Sequence, residues 1–422
     1  MTGTGGQLRL ACFGWVAADA GSCVTGHFLT LKALLERGHH IDLFGERGVV
    51  DPAELRDLPG YRFHELPERM VTRWAHRARR GSVARTAFNM ATNPLFVRTI
   101  RAAVRAEHGV RPFDALVFLG VSACCRVDGI PVVEWVQGSP WEEAAAFRRQ
   151  RRMLVDVIGG VRYQMYSSYY RVDAVVSRAQ HVGADLTICG SEWCRRSLVA
   201  HGYEPDRVAT MAYPVDVDRF ELPVDSPARD FTILHLGRLD PRKRPDLLVE
   251  AFRRVVATMP QARLLVVGRP GVIQTMPHVL SAPDLADRVT YLPGVPADEV
   301  PGLFRRADVL VQVSESENFG SAVAEAMLAG LPVVVGPTNG TAQYIDGASL
   351  QFSDYTAESV ADALLAVARS AASGTPGERA ARRRFAIDQF SPMSAAARFE
   401  DLVGQAVDRH AEPGAQWCGF CS

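Results

Sequence analysis

Lysine is nearly absent from this chain. Of the 47 basic residues in 422, only Lys32 and Lys243 are lysines, and the rest are arginines. So uniform a bias reflects base composition rather than chemistry, and a lysine that persists against it draws attention. Net charge is absent as well: 47 acidic residues balance the 47 basic ones, which excludes a global polyanion-binding role and leaves only local basic patches. No run approaches the roughly 18 apolar residues needed to cross a bilayer, and the longest, around positions 115–125, is broken by Gly120 and Ser122. The opening residues, MTGTGGQLRLACFGW, lack a basic segment followed by a long apolar one. A secretory leader is therefore not expected, and the chain reads as cytoplasmic. The eight cysteines are scattered without paired spacing, which excludes a disulfide framework and suits a reduced compartment. Cys418 and Cys421 form a lone CxxC with neither a βαβ context nor a second ligand pair, so no redox or zinc role is assigned to them.

Apolar residues, at 47%, are plentiful enough to bury ordinary cores, and the length suits two large domains. Short apolar runs alternate with helical periodicity, the signature of parallel α/β architecture. Strands are expected at residues 8–13, 41–44, 115–119, 130–136 and 186–189, with helices near 27–37 and 192–201. The pattern restarts with strands at 231–236, 264–267, 289–292, 309–313 and 331–335. Between the halves, Pro214, Pro223 and Pro227 mark a linker. The expected organisation is a Rossmann-like domain over residues 1–215, a second over 228–390, and a final helix over 391–408 that packs on the first domain. Ligands in such sheets bind beyond the carboxyl ends of the strands.

Two segments there carry chemistry. Gly237-Arg-Leu-Asp-Pro-Arg-Lys243 directly follows a strand. Gly237 lets the backbone turn close to a ligand, and Arg238 and Lys243 supply two cations beside a helix start, a combination that suits a diphosphate. A solvated loop with incidental charge is the plainer alternative, and the rarity of lysine argues against it. The second segment runs from Ser314 to Pro332 and carries Glu317, Asn318, Phe319, Gly320 and Glu325. Two carboxylates eight apart across a loop–helix junction can accept hydrogens from two hydroxyl-bearing parts of one ligand, while the amides of Phe319 and Gly320 face ligand oxygens. Taken alone, they are equally well read as acids placed to complement a helix dipole.

In combination, G-R-L-x-P-x-K, then E-x7-E enclosing F-G, then A-G-L-P-V resemble the retaining nucleotide-sugar glycosyltransferases of family 4. Ser191-Glu-Trp, Asp216-Val-Asp-Arg-Phe220 and Thr338–Gly347 resemble further landmarks of that family, and the resemblance covers about residues 8–408. It implies the GT-B fold and a nucleoside diphosphate sugar as donor, UDP- or GDP-linked. Arg238 and Lys243 would hold the diphosphate and Glu325 the ribose. Glu317 would lie beside the transferred hexose, with Asn318, Phe319 and Gly320. Gly237 would sit at the phosphates, and Gly268 and Pro293 against the base. It also implies retention at the anomeric carbon and no required cofactor or divalent metal, since protein cations and helix ends neutralise the leaving group.

Three departures stand out. Gln137 occupies a position where many members carry histidine, so no proton transfer is expected there. Gln343 replaces a usual glutamate. The loop from Asp19 to Gly26 spaces its glycines loosely, with Gly21, Gly26 and His27 as acceptor- or sugar-side residues and His27 read as a helix start. The acceptor is expected in the first domain and is a small molecule, a sugar or a lipid-linked carrier, not nucleic acid. Arginines between positions 69 and 85, and again at Phe147-Arg-Arg-Gln-Arg-Arg152, are read as solvated surface in preference to a peripheral membrane patch. The rival readings are a nucleotide-sugar epimerase of the same fold, which needs no acceptor, and a non-catalytic partner subunit.

Overall fold

The computed structural model describes residues 6–18, 22–46, 51–67, 83–120, 124–181, 184–222, 230–271, 273–370 and 375–411. Gly21, the arginines between positions 69 and 80, the side chain of Arg85 and the Cys418–Cys421 pair lie outside that description.

Two parallel sheets form the body. The first holds β1 (Arg9–Gly14), β2 (His40–Glu46), β3 (Tyr61–Leu66), β4 (Ala115–Leu119), β5 (Val132–Trp135), β6 (Leu186–Cys189) and β7 (Val208–Thr210), in the order β3-β2-β1-β4-β5-β6-β7. The second holds β8 (Thr232–Leu236), β9 (Arg263–Val267), β10 (Val289–Leu292), β11 (Val309–Gln312), β12 (Val333–Val335) and β13 (Leu350–Gln351), in the order β10-β9-β8-β11-β12-β13. Ala-Leu-Val-Phe-Leu of β4 is buried at every position. That continuous apolar run is what a strand covered by helices on both faces requires.

Each sheet reverses its direction of growth at one point. In the first, Leu10 of β1 pairs with Ile41 of β2 on one side and Ala115 of β4 on the other. In the second, Ile233 of β8 pairs with Leu264 of β9 and Val309 of β11. Loops leaving β8 and β11 therefore diverge to opposite faces and open a crevice between them.

The helices are α1 (Ser22–Glu36), α2 (Ala53–Arg56), α3 (Val83–Val110), α4 (Pro140–Arg149), α5 (Arg151–Ile158), α6 (Gly160–His181), α7 (Glu192–Ala200), α8 (Pro245–Thr258), α9 (Val300–Arg305), α10 (Ser321–Leu328), α11 (Ala357–Arg369), α12 (Pro376–Phe390) and α13 (Pro392–Ala411). His27 was expected to start a helix, but α1 begins five residues earlier, at Ser22. Three strands were not anticipated. β3 mixes Arg62, His64 and Glu65 among its apolar residues because it is an edge strand, while β7 and β13 have three and two residues.

Helices α4–α6 form an insert between β5 and β6, opened by the Ser139 side chain accepting the Glu142 amide at 3.4 Å. Phe147, Leu154 and Tyr163 of this insert are buried together with Leu239, Leu247 and Phe252 of the second sheet's layer. The 147–152 run is thus only partly solvated: Phe147 and Gln150 are buried.

The chain crosses back at its far end. On α13, Phe399 is fully buried with its ring 5.7 Å from that of Trp135 of β5, tilted by 30°. Glu400 pairs with Arg37 beyond α1 at 2.6 Å, and Arg409 donates to the Asp206 carbonyl at 2.6 Å. Burying a phenylalanine stabilises by about 1.5–3 kcal/mol, so this one side chain is a substantial anchor. The two crossings between the sheets also touch, the Val215 amide donating to the Phe390 carbonyl at 2.9 Å.

Candidate active site

The crevice at the carboxyl ends of β8 and β11 gathers the two segments singled out above. After β8, residues Pro241–Lys243 form one 3-10 turn and α8 follows at Pro245. After β11, the chain passes Glu315 and Glu317 and turns at Gly320, whose φ of +89° places it in the left-handed region. A side chain there would also press on the Gln312 and Asn339 amide oxygens, at 2.8 and 2.9 Å from its first carbon, so glycine is required on both counts. The amide end of α10 begins at the next residue, Ser321.

Lys243 and Glu317 form an ion pair through Nζ and Oε2, with only 8% and 13% of their side chains exposed. Arg242 bonds the same oxygen through Nη1 at 3.1 Å and donates to the Ser316 carbonyl at 2.7 Å. Burial alone would raise the Glu317 carboxyl, but Lys243 and Arg242 outweigh it and hold it down to about 2. For the Lys243 ammonium, burial is the larger influence and lowers it, with Glu317 working against. Beneath them on β8, His235 is pushed down to about 4 by burial and by the Lys243 charge, so its imidazole is neutral at physiological pH.

Arg238 differs from both neighbours. Its side chain is 65% exposed and reaches Asp240 at 3.3 Å, leaving its guanidinium at the mouth of the crevice. Beside it lies a shallow recess lined by Arg238, Asp240, Pro241 and Arg242 on one wall and by Glu143, Phe147 and Tyr170 of the insert on the other. Glu325, the fifth residue of α10, is pushed up to about 7 by burial, with Arg219 of the linker pulling it down. Gly268 and Pro293 follow the neighbouring strands β9 and β10, where the Gly268 amide donates to the Leu292 carbonyl at 3.0 Å. Gly237 sits within 4 Å of the Lys243 side chain, counted from where a methyl would project.

Other residues are placed differently. Asn318 is buried, and its side chain is spent joining the two sheets. Its oxygen accepts the Gly190 amide at 2.9 Å, and its nitrogen donates to the Tyr213 hydroxyl at 2.7 Å and the Val136 carbonyl at 3.3 Å. Phe319 is buried between Tyr213, Tyr344 and Phe390. Gly26 lies inside α1 against Tyr213 and Pro214. His27 is fully buried, edge-on to Trp135 at 4.8 Å, and burial lowers its imidazole to about 4 despite support from the Trp15 backbone. Gln137 is exposed and lies over Gly120, and Gln343 is exposed and accepts the Glu192 amide at 2.8 Å.

Three residues escaped notice in the sequence. Arg242 and Glu143 face each other at 3.3 Å between the β8 loop and α4. Glu315 takes Arg149 of α4 at 3.0 Å and also pairs with Arg244. Arg242 stood inside the diphosphate heptapeptide, yet in a chain this rich in arginine its type carried no signal. Among the described residues, Asp42, His64 and Glu107 have the spacing of metal ligands. Asp42 is already neutralised there by Arg9 at 2.9 Å and bonded to His64 at 2.6 Å.

Comparison with known proteins follows the same division of the chain. Residues 218–383 match the family described as glycosyl transferases group 1. A D-inositol 3-phosphate glycosyltransferase of Mycobacterium sp. (strain JLS) is 32% identical over 177 residues, 37% of this chain and 38% of that one. A GDP-mannose-dependent phosphatidylinositol monomannoside mannosyltransferase of Mycolicibacterium smegmatis is 28% identical over 234 residues, 49% of this chain and 59% of that one. These matches thus span less than two thirds of the curated relatives. Over nearly the whole chain the likeness is structural. Sucrose-phosphate synthase of Thermosynechococcus elongatus superposes with a TM-score of 0.69 at 18% identity, covering 96% of this chain and all of that one. The Anabaena protein HepE in complex with UDP-glucose superposes with a TM-score of 0.63 at 14% identity, covering 94% and 100%. No described helix is long and apolar enough to cross a membrane. The chain has the GT-B fold, and its residues 218–383 match the glycosyl transferases group 1 family.

Proposed function

We propose that the protein moves a hexose from a nucleoside diphosphate sugar, UDP- or GDP-linked, to an acceptor hydroxyl, with retention at the anomeric carbon and without a divalent metal. The observation that carries this reading is the pairing at the switch point of the second sheet. An exposed guanidinium, Arg238, follows the same strand as a buried ammonium, Lys243, whose partner carboxylate Glu317 begins the turn into α10. The cations suit a diphosphate leaving group, and the anion suits the positive charge that builds on a sugar as its anomeric bond breaks. The first sheet's loops and the insert form the opposite wall and would take the acceptor, which on this reading is a small molecule, a sugar or a lipid-linked carrier. Relatives support a sugar nucleotide by name: one uses GDP-mannose and a structural neighbour holds UDP-glucose.

Domain limits of 1–215, 228–390 and 391–408 suit this arrangement. Its chemistry is positioning and charge stabilisation, with the leaving phosphate accepting the acceptor's proton. The test is calorimetric titration of UDP and GDP into the wild type, Arg238→Ala and Lys243→Ala. Loss of a charge-assisted bond should weaken binding by about 1.5–3 kcal/mol in each variant. Equal affinity in folded variants would sink the assignment. An epimerase would instead convert donor sugar with no acceptor present.

A further inference from the structure

We infer that Arg242 is the positioning residue for Glu317, keeping that carboxylate charged and in place while Lys243 turns to the donor's phosphates. The inference rests on the donor reading above, and its geometry is an inequality between two cations. Lys243 and Arg242 both bond Oε2 of Glu317. Among the described residues, Glu317 is the hydrogen-bond partner of the Lys243 ammonium. A diphosphate arriving beside Arg238 would compete with the carboxylate for that ammonium.

Arg242 has no such freedom. Its Nη1 is shared between the Ser316 carbonyl at 2.7 Å and Glu317 at 3.1 Å. Its Nε faces Glu143 of α4 at 3.3 Å, and its own carbonyl accepts the Glu315 amide at 2.8 Å. Three side-chain contacts and one main-chain bond from two other elements, with 18% of the side chain exposed, hold Arg242 against the β11 loop. The charged and titratable groups that act on Glu317 and its two cations are Lys243, Arg242 and Asp240 from the β8 loop and His235 from β8, with Glu143 behind Arg242. His235 is neutral and Asp240 and Glu143 offer no cation, so once Lys243 is drawn to phosphate Arg242 is, among the described residues, the cation left bonded to Glu317. A buried carboxylate deprived of its cation takes up a proton, and a neutral Glu317 could no longer stabilise a developing positive charge.

The experiment counts protons. UDP and GDP are titrated at pH 6.5 in buffers of different ionisation enthalpy, which gives the protons taken up per nucleotide bound. Wild type and Arg242→Lys, which keeps the charge, should give the same count. Arg242→Gln should take up roughly half to one further proton, and adding Glu317→Gln should abolish that excess. If Arg242→Gln does not fold by circular dichroism, Arg242→Met carries the same expectation. Equal counts in wild type and the neutral variant, or an excess that survives loss of Glu317, would overturn the role of Arg242 and leave the donor reading standing. Failure of the wild type to bind either nucleotide would remove the donor reading and this inference with it.

Discussion

Replacing Asn318 by alanine tests how much one side chain contributes to the joint between the two sheets. In the folded protein its oxygen is the acceptor for the Gly190 amide, and its nitrogen serves the Tyr213 hydroxyl and the Val136 carbonyl. Their fates differ when the amide is removed. Val136 keeps a partner, because the Tyr213 hydroxyl donates to it at 2.7 Å. Tyr213 keeps that same bond as donor and loses only an acceptor role. Gly190 is buried and its amide is left with no acceptor, the costly outcome. One orphaned buried donor costs about 1–3 kcal/mol, so Asn318→Ala should destabilise by about 2–3 kcal/mol. For a domain near 200 residues that corresponds to a fall in Tm of roughly 5–10 °C. Tyr213→Phe should cost about 1 kcal/mol, because Asn318 still serves Val136 and Gly190. Differential scanning calorimetry on both variants checks the ranking. A Tm for Asn318→Ala within a degree of wild type, or a larger loss for Tyr213→Phe, would refute this account of the joint.

Other outcomes are expected elsewhere. Glu325→Ala should mainly raise the donor KM, whereas Glu317→Ala should lower kcat by about 10²–10³, as other electrostatic stabilisers do; steady-state release of nucleoside diphosphate separates the two, and the opposite pattern would exchange their roles. Burial raises the Glu325 carboxyl to about 7, above its unfolded value, so its neutral form contributes stability that is complete below about pH 4.5 and lost as pH rises through 7. Glu325→Gln should therefore match wild type in thermal melts at pH 5 and exceed it at pH 8, and a variant less stable at pH 8 would contradict the sign. EDTA should leave turnover intact, while a loss restored by magnesium would exclude the metal-free reading. Phe399→Ala should cost about 3–5 kcal/mol in chemical denaturation, as expected for an emptied aromatic site.

Fully covered strands were legible because both of their faces are apolar: β4 and β6 match the expected runs at both ends. Edge strands were not. Tyr-Arg-Phe-His-Glu-Leu of β3 half faces solvent and looks like a loop until Phe63 and Leu66 find their partners. The diphosphate heptapeptide and the E-x7-E segment were legible as local patterns following strands. What they touch was not: the two segments bond each other through Lys243 and Glu317, and Arg242 and Asn318 find Glu143 and Gly190 in the other half of the chain. Asn318 looked like a ligand contact since nothing nearby in sequence announces Gly190, and Arg242 was one arginine among many. The insert α4–α6 was missed because helices that cover two layers at once, with Phe147 and Tyr163 inward and Val161 and Met165 outward, lose a single clean apolar stripe.

The return of α13 to the first sheet has a consequence for the order in which the protein can be made. Residues 9–210 supply every strand of that sheet, yet Trp135 is covered by Phe399, which is synthesised after all six strands of the second sheet. A ribosome-bound first half therefore waits with an apolar seam uncovered along α1 and β5. The second sheet can close on local crossovers as it emerges, but the first completes only when the chain's far end arrives. Synthesis begins with one half and folding finishes in it, so a chain cut short before position 392 would leave its oldest part, not its newest, unfinished.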